Sequence, residues 1–119
     1  MGYVDGFVIP VPKKKLPAYL RMAKTSGRIW RDHGALEFRE AVADDAKVGK
    51  RTSFPRSVKL KLGETVVYAW IVFKSRAHRD RVNAQVMKDK RFTKMMATEA
   101  MPFDGKRMIY GGFKVLIAA

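Results

Sequence analysis

The stretch "YAWIVF", Tyr68 to Phe73, sets Tyr68 and Trp70 two positions apart. On a strand that spacing puts both rings on one face, where they can hold a planar molecule or stack unpaired bases. Tyr3 and Asp5 repeat the spacing near the N-terminus, and Tyr110, Gly112 and Lys114 repeat it near the C-terminus. Taken as one side of a sheet, Tyr3, Asp5, Tyr68, Trp70, Tyr110, Gly112 and Lys114 form a candidate pocket of large rings with a carboxylate and a lysine as polar handles. The same mixture suits a partly hydrated interface between subunits. Asp5 is the most available base, and it can act as one only if desolvation raises its pKa toward the working pH.

Other chemistries find little support. "DGKR" contains Gly-Lys, but Arg107 stands where a phosphate loop needs Ser or Thr, and a strand rather than a helix follows. His33 and His78 have no spacing that makes a metal pair and read as surface or capping residues, so no metal is expected. The chain has no cysteine, which removes disulfides and thiolate chemistry. No G-x-S-x-G turn presents a serine nucleophile, and Asp80 between Arg79 and Arg81 reads as a surface charge pair. No cofactor is implied.

Charge points to a different class of partner. Against 11 acids stand 25 Lys and Arg, a net +14, and such a surface favours nucleic acid or acidic membranes. Arg21, Lys24, Arg28 and Arg31 share the solvated side of a helix and form the candidate nucleic-acid surface. Residues 68–73 also resemble the aromatic strand signature of RNA-recognition modules, with Phe7 as a second platform. That signature's basic-glycine pair is replaced by Val66-Val67, and Asp5 on the same face opposes a phosphate backbone. The first fifteen residues place an apolar run before the lysines, the reverse of a secretory signal. No apolar run approaches the roughly 18 residues of a membrane span. A cytoplasmic protein without a membrane partner is the expectation.

The elements that must position these residues form a single domain over 1–119. Tyr3 to Val11 is a strand, ended by Pro10 and Pro12. A helical stripe of Leu16, Tyr19, Leu20, Ala23, Gly27 and Trp30 follows; Pro17 fixes its start and Gly34 its stop. Ala35 to Ala43 is a second strand. "SVKLKL" and "TVVYAWIVFK" read as an inserted short strand and a long one joined at Gly63. Ser75 caps a second helix with Ala77, Val82, Val86 and Met87 inward; 89–101 adds a short helical turn; Asp104-Gly105 turns into a last, unbroken edge strand. This is an α+β, ferredoxin-like split βαβ plan with one inserted strand, its antiparallel sheet carrying two main helices on one face. Val4, Val8, Val67, Ile71, Ile109, Phe113, Val115 and Ile117 are expected beneath those helices, with Gly111 on the helix side and Gly112 on the opposite, pocket side.

The blocks "YVDGF", "PAYLRMA", "VVYAWIVF", "RDRVN" with "VMKD", and "MPFDGKRMIYGGF" resemble the YbaA-like family of small bacterial proteins along the whole chain. The resemblance implies the dimeric α+β barrel fold, in which two ferredoxin-like subunits pack their open sheet faces together. Relatives of that fold include cofactor-free monooxygenases, haem-degrading enzymes and binding proteins, and the family supplies no catalytic residues to carry over. A homodimer that binds a small molecule on its aromatic sheet face is the leading expectation. A cofactor-independent monooxygenase-like enzyme in that pocket, or RNA binding through the basic surface, are the alternatives.

Overall fold

The computed structural model describes residues 2–119. Among them, β1 (Tyr3–Pro12), β2 (Glu37–Val42), β3 (Glu64–Phe73) and β4 (Ile109–Lys114) form one antiparallel sheet in the order β2-β3-β1-β4. Helices α1 (Leu16–Asp32) and α3 (Arg76–Lys88) pack on one face, and α4 (Lys90–Thr98) follows α3 after a single residue. This is the ferredoxin-like arrangement the sequence predicts. No helix of the described residues is long and apolar enough to cross a membrane.

Local chemistry sets the boundaries. β1 runs through Pro10 to Pro12, beyond Val8, the last residue that β4 pairs, so the missing proline N–H groups interrupt no ladder on that side. Pro17 sits in the first turn of α1, where an N–H would have no helical partner anyway. The helix ends on Gly34, whose φ of +111° suits glycine; its N–H bonds the Arg31 carbonyl, and the Ala35 N–H reaches back to Trp30. Ser75 and Asp89 cap α3 and α4 through their side-chain oxygens. With that cap, 89–101 builds a nine-residue helix rather than the expected turn. In α3 Val82 and Val86 are buried, whereas Ala77 and Met87 face solvent.

The inserted strand does not form. Ser53 accepts a hydrogen bond from the Arg56 N–H, Pro55 occupies the first turn, and 54–57 becomes the short helix α2 (Phe54–Ser57). Lys59 then takes a positive φ of 49°, which breaks the alternation. Instead of pairing, Val58 and Leu60 pack on Val8 and Val66, covering part of the sheet face opposite the main helices.

Register decides which side chains meet the helices. β1 pairs β3 from Tyr3 opposite Phe73 to Pro12 opposite Glu64, and β4 from Tyr3 opposite Lys114 to Val8 opposite Ile109. Phe7, Ile9 and Val11 therefore share the helix-covered face with Val67, Ala69, Ile71 and Phe73. Val67 and Ile71 are where the sequence puts them. Val4, Val8, Ile109 and Phe113 are not: they lie on the far face with Tyr68, Trp70 and Val72. Val115 and Ile117 lie past the end of β4.

Buried polar contacts tie the layers together. Arg79 of α3 donates to Asp5 of β1 at 2.7 Å, and the Trp30 indole N–H donates to Asn83 of α3 at 3.0 Å. His33, the C-cap of α1, meets Asp89 at 2.7 Å. Arg107 forks onto Glu64 at 2.8 and 2.6 Å and also donates to the Val58 and Lys59 carbonyls, pinning the approach to β4 against the α2 connection. That fork holds the Glu64 carboxyl below the usual range. Its stabilisation is present above the ordinary glutamate pKa and is lost as pH falls through the lowered one. Arg107→Ala should cost about 3 kcal/mol in urea unfolding at neutral pH, because Glu64 is left buried without its partner. Arg107→Lys should recover only part, lacking the fork, and the gap to the native protein should close in acid.

Candidate functional site

The helix layer does not seal against the sheet everywhere. Between α1, α4 and the sheet lies a cavity of about 260 Å³. Phe7, Ile9, Ala69 and Ile71 make its floor, Met22 and Trp30 line the α1 side, Phe92 and Met96 the α4 side, and Met101, Phe103 and Met108 close the end nearest β4. Small residues leave the space: Ala23 and Ser26 on the helix and Ala69 on the strand face it where large side chains would fill it. The methionines supply a wall that can reshape around a guest.

Ser26, Arg39 and a hydrogen-bonded pair, Tyr19 with Glu40, interrupt the apolar lining. The Tyr19 hydroxyl donates to Glu40 Oε1 at 2.6 Å. Burial pushes the Glu40 carboxyl above its ordinary range, against the opposing hydrogen bond. Burial and the adjacent carboxylate push the Tyr19 phenol well above its own range. Such a pair can anchor one polar group of a bound molecule, and Glu40 can hold or accept a proton in these surroundings. The sequence carried a signal for it: Phe38, Glu40 and Val42 share one parity of β2, so Glu40 is a carboxylate on an otherwise apolar face.

The pocket expected from the sequence is split by the sheet. Tyr3, Asp5, Tyr110, Gly112 and Lys114 share the helix side, outside the cavity, while Tyr68 and Trp70 have the parity of the far face, and Trp70 alone of the set borders the cavity. Asp5 is no free base, since Arg79 engages its carboxylate and the Arg79 guanidinium lies 4.9 Å over the Tyr3 ring. Burial still pushes the Asp5 carboxyl upward, with Arg79 pulling the other way. The room expected at Gly112 is taken by the Tyr3 ring: an added Cβ would fall 2.7 Å from its Cε2. Gly112 is therefore on the helix side and Gly111 on the far face, the reverse of expectation. Tyr110 stacks on Phe7 at 6.1 Å between centroids, so Phe7 is no platform beside Trp70. On the far face, Tyr68 lies 5.7 Å from Trp70, whose N–H donates to Glu37 at 3.0 Å.

Arg21, Lys24, Arg28 and Arg31 are all exposed on α1. Lys24, Arg28 and Arg31 border a groove of about 550 Å³ between α1 and β2, whose walls include Phe38 and Glu40. His78 accepts the Lys74 N–H, and among the described residues no three metal-ligating side chains cluster.

Known proteins match this chain closely. Residues 2–105 match the family described as "Protein of unknown function (DUF1428)". The chain is 45% identical over 117 residues to "Uncharacterized protein YbaA" of Escherichia coli strain K12, covering 98% of each chain. Proteins of the same description from Escherichia coli O157:H7 and Shigella flexneri match with the same identity and coverage. The chain belongs to this YbaA-like family of proteins of unknown function, the family its sequence blocks resemble.

Proposed function

We propose that this protein binds a small, largely apolar organic molecule in the cavity between its helices and its sheet, as a homodimer joined through the far sheet face. The cavity carries the reading: about 260 Å³ of apolar space with one hydrogen-bonding pair, Tyr19 and Glu40, on its wall. That volume lies at the small end for ligand sites and suits two linked or fused rings. The binding residues are then Tyr19, Trp30, Phe38, Glu40, Met96 and Phe103 in place of the split set above. N-phenyl-1-naphthylamine, a neutral probe with a naphthalene and a phenyl ring joined through nitrogen, tests it. In a Trp70→Phe variant Trp30 is the remaining tryptophan, and bound probe should draw its excitation energy in a saturable way. Ser26→Phe, which fills the cavity from α1, should weaken binding about tenfold or more. Binding that ignored Ser26→Phe would place the probe elsewhere and defeat the proposal.

The far face supports the dimer. Val4, Trp70, Val72, Ile109 and Phe113 lie together there, and Phe113 is 65% exposed. An apolar face of this kind on a sheet is ordinarily covered, and a two-fold pairing of like faces covers both at once. Light scattering should give a dimer mass at micromolar concentration, and Phe113→Asp should give a monomer. A monomeric native protein that bound single-stranded RNA, and lost it on Trp70→Ala, would put base stacking on that face instead.

Glu40 favours a second reading, in which the same cavity belongs to an enzyme that abstracts a proton without a cofactor, with Glu40 rather than Asp5 as the base. The raised pKa has a consequence that needs no substrate. The unfolded chain ionises first, so Glu40's contribution to stability falls as pH rises through the ordinary glutamate value to the raised folded one. As pH rises through the ordinary glutamate value and above it, Glu40→Gln should therefore gain stability relative to the native protein. A constant difference across that range would mean that Glu40 is not desolvated.

A further inference from the structure

We infer that the molecule bound in the cavity is an organic anion, with its apolar body inside and its charged head on the cationic rim formed by Lys24, Arg28 and Arg31. This rests on the cavity reading above and adds the chemical class of the ligand. The groove between α1 and β2 and the cavity are neighbours, sharing Ala23, Phe38 and Glu40 in their walls. The Phe38 ring, packed on the bare surface of Gly27, is the partition between them. A Cβ there would sit 2.8 Å from Phe38 Cδ1, so the phenyl ring presses into the helix surface where a side chain would otherwise stand.

The rim is set apart by its place beside the groove: carboxylates engage Arg39, Arg79, Arg91 and Arg107, and the other lysines and arginines of the chain have no ion pair among the described residues. Lys24, Arg28 and Arg31 form no ion pair with any described residue, although helical spacing puts them along one side of α1. Arg31 is held in place all the same, donating to the Ala35 and Leu36 carbonyls. The one carboxylate in the groove wall, Glu40, accepts the hydrogen bond of the buried Tyr19. An anion at this mouth meets three donors and leaves its apolar part beside the opening.

A matched pair of probes tests the head group apart from the body. 1-Anilinonaphthalene-8-sulfonate has the ring system of N-phenyl-1-naphthylamine with a sulfonate added. At low salt it should bind about tenfold tighter, and the advantage should shrink as ionic strength rises. The double variant Lys24→Ala/Arg28→Ala, changed only at exposed positions, should remove the advantage and leave the neutral probe's affinity unchanged. Ser26→Phe should weaken both probes. Equal affinity of the two probes, or a preference that survives the double variant, overturns the inference and leaves the cavity reading standing. If neither probe binds, or both ignore Ser26→Phe, the cavity reading fails and the inference falls with it.

Discussion

The ladder between β1 and β3 is the constraint on which the other features depend. It runs the full ten residues of each strand at the centre of the sheet, and a slip of one residue would exchange the faces of every side chain on β1. Hydrophobicity alone cannot hold the register, because β1 is apolar on both parities. Size and charge can. On the far face Trp70 lies opposite Gly6, which in turn lies opposite Gly111, so the largest ring has the smallest neighbours. On the helix face Tyr3 covers Gly112, and Asp5 reaches Arg79. A slip would carry Asp5 to the face where α3 is absent and leave Arg79 buried beside a glycine, a loss that packing elsewhere could not offset.

With that register fixed, the sheet presents two apolar faces and the chain supplies one complete helix layer. The α2 connection covers the far face only around Val8 and Val66. Beyond it Tyr68, Ile109 and Phe113 are exposed on that face, with Trp70 and Val72 half-buried beside them. On the covered face the mismatch has the opposite sense. Ala23, Ser26 and Ala69 are too small to close the gap that α1 spans, and the residues around it are methionines and aromatic rings. The floor is hydrogen-bonded strand, and the walls belong to α1, α4 and the connection before β4.

Local signals were legible in the sequence wherever a single residue sets backbone geometry. Pro17 marks the start of α1, Gly34 its end, Ser75 the cap of α3, and Asp104-Gly105 the turn before an unbroken β4. The inserted strand went wrong because alternation in "SVKLKL" is overridden by a capped turn at Ser53-Phe-Pro. The face of Tyr68 and Trp70 is not legible, for a different reason. Tyr3 and Asp5 were correctly grouped with Tyr110 and Lys114, but the parity of β1 relative to β3 depends on pairing across about sixty residues of chain, which no local pattern encodes. A wrong choice of that parity moves Tyr68 and Trp70 to the other side as a block. The Tyr19–Glu40 pair was within reach, since a carboxylate at the apolar parity of β2 must find a partner beneath the helices.

Basicity takes on a different meaning once the acids are located. Seven of the 11 acidic residues form ion pairs within the chain: Asp5, Asp32, Glu37, Glu64, Asp80, Asp89 and Asp104. An eighth, Glu40, is hydrogen-bonded inside. Most of the negative charge is thus spent on internal contacts, and the excess of cations stands at the surface. A field of that sign attracts anions to the whole molecule and distinguishes none of them. Selectivity requires that some cations stand beside a concavity whose interior accepts the rest of the ligand. On α1 the chain provides that placement, with Lys24, Arg28 and Arg31 along the groove that adjoins the cavity and Tyr19, Met22 and Ala23 turned inward from the same turns. Moving the same charges to the outer face of α3 would leave the long-range field unchanged and the cavity mouth neutral. Their position on the helix, rather than their number, gives the net charge a specific consequence.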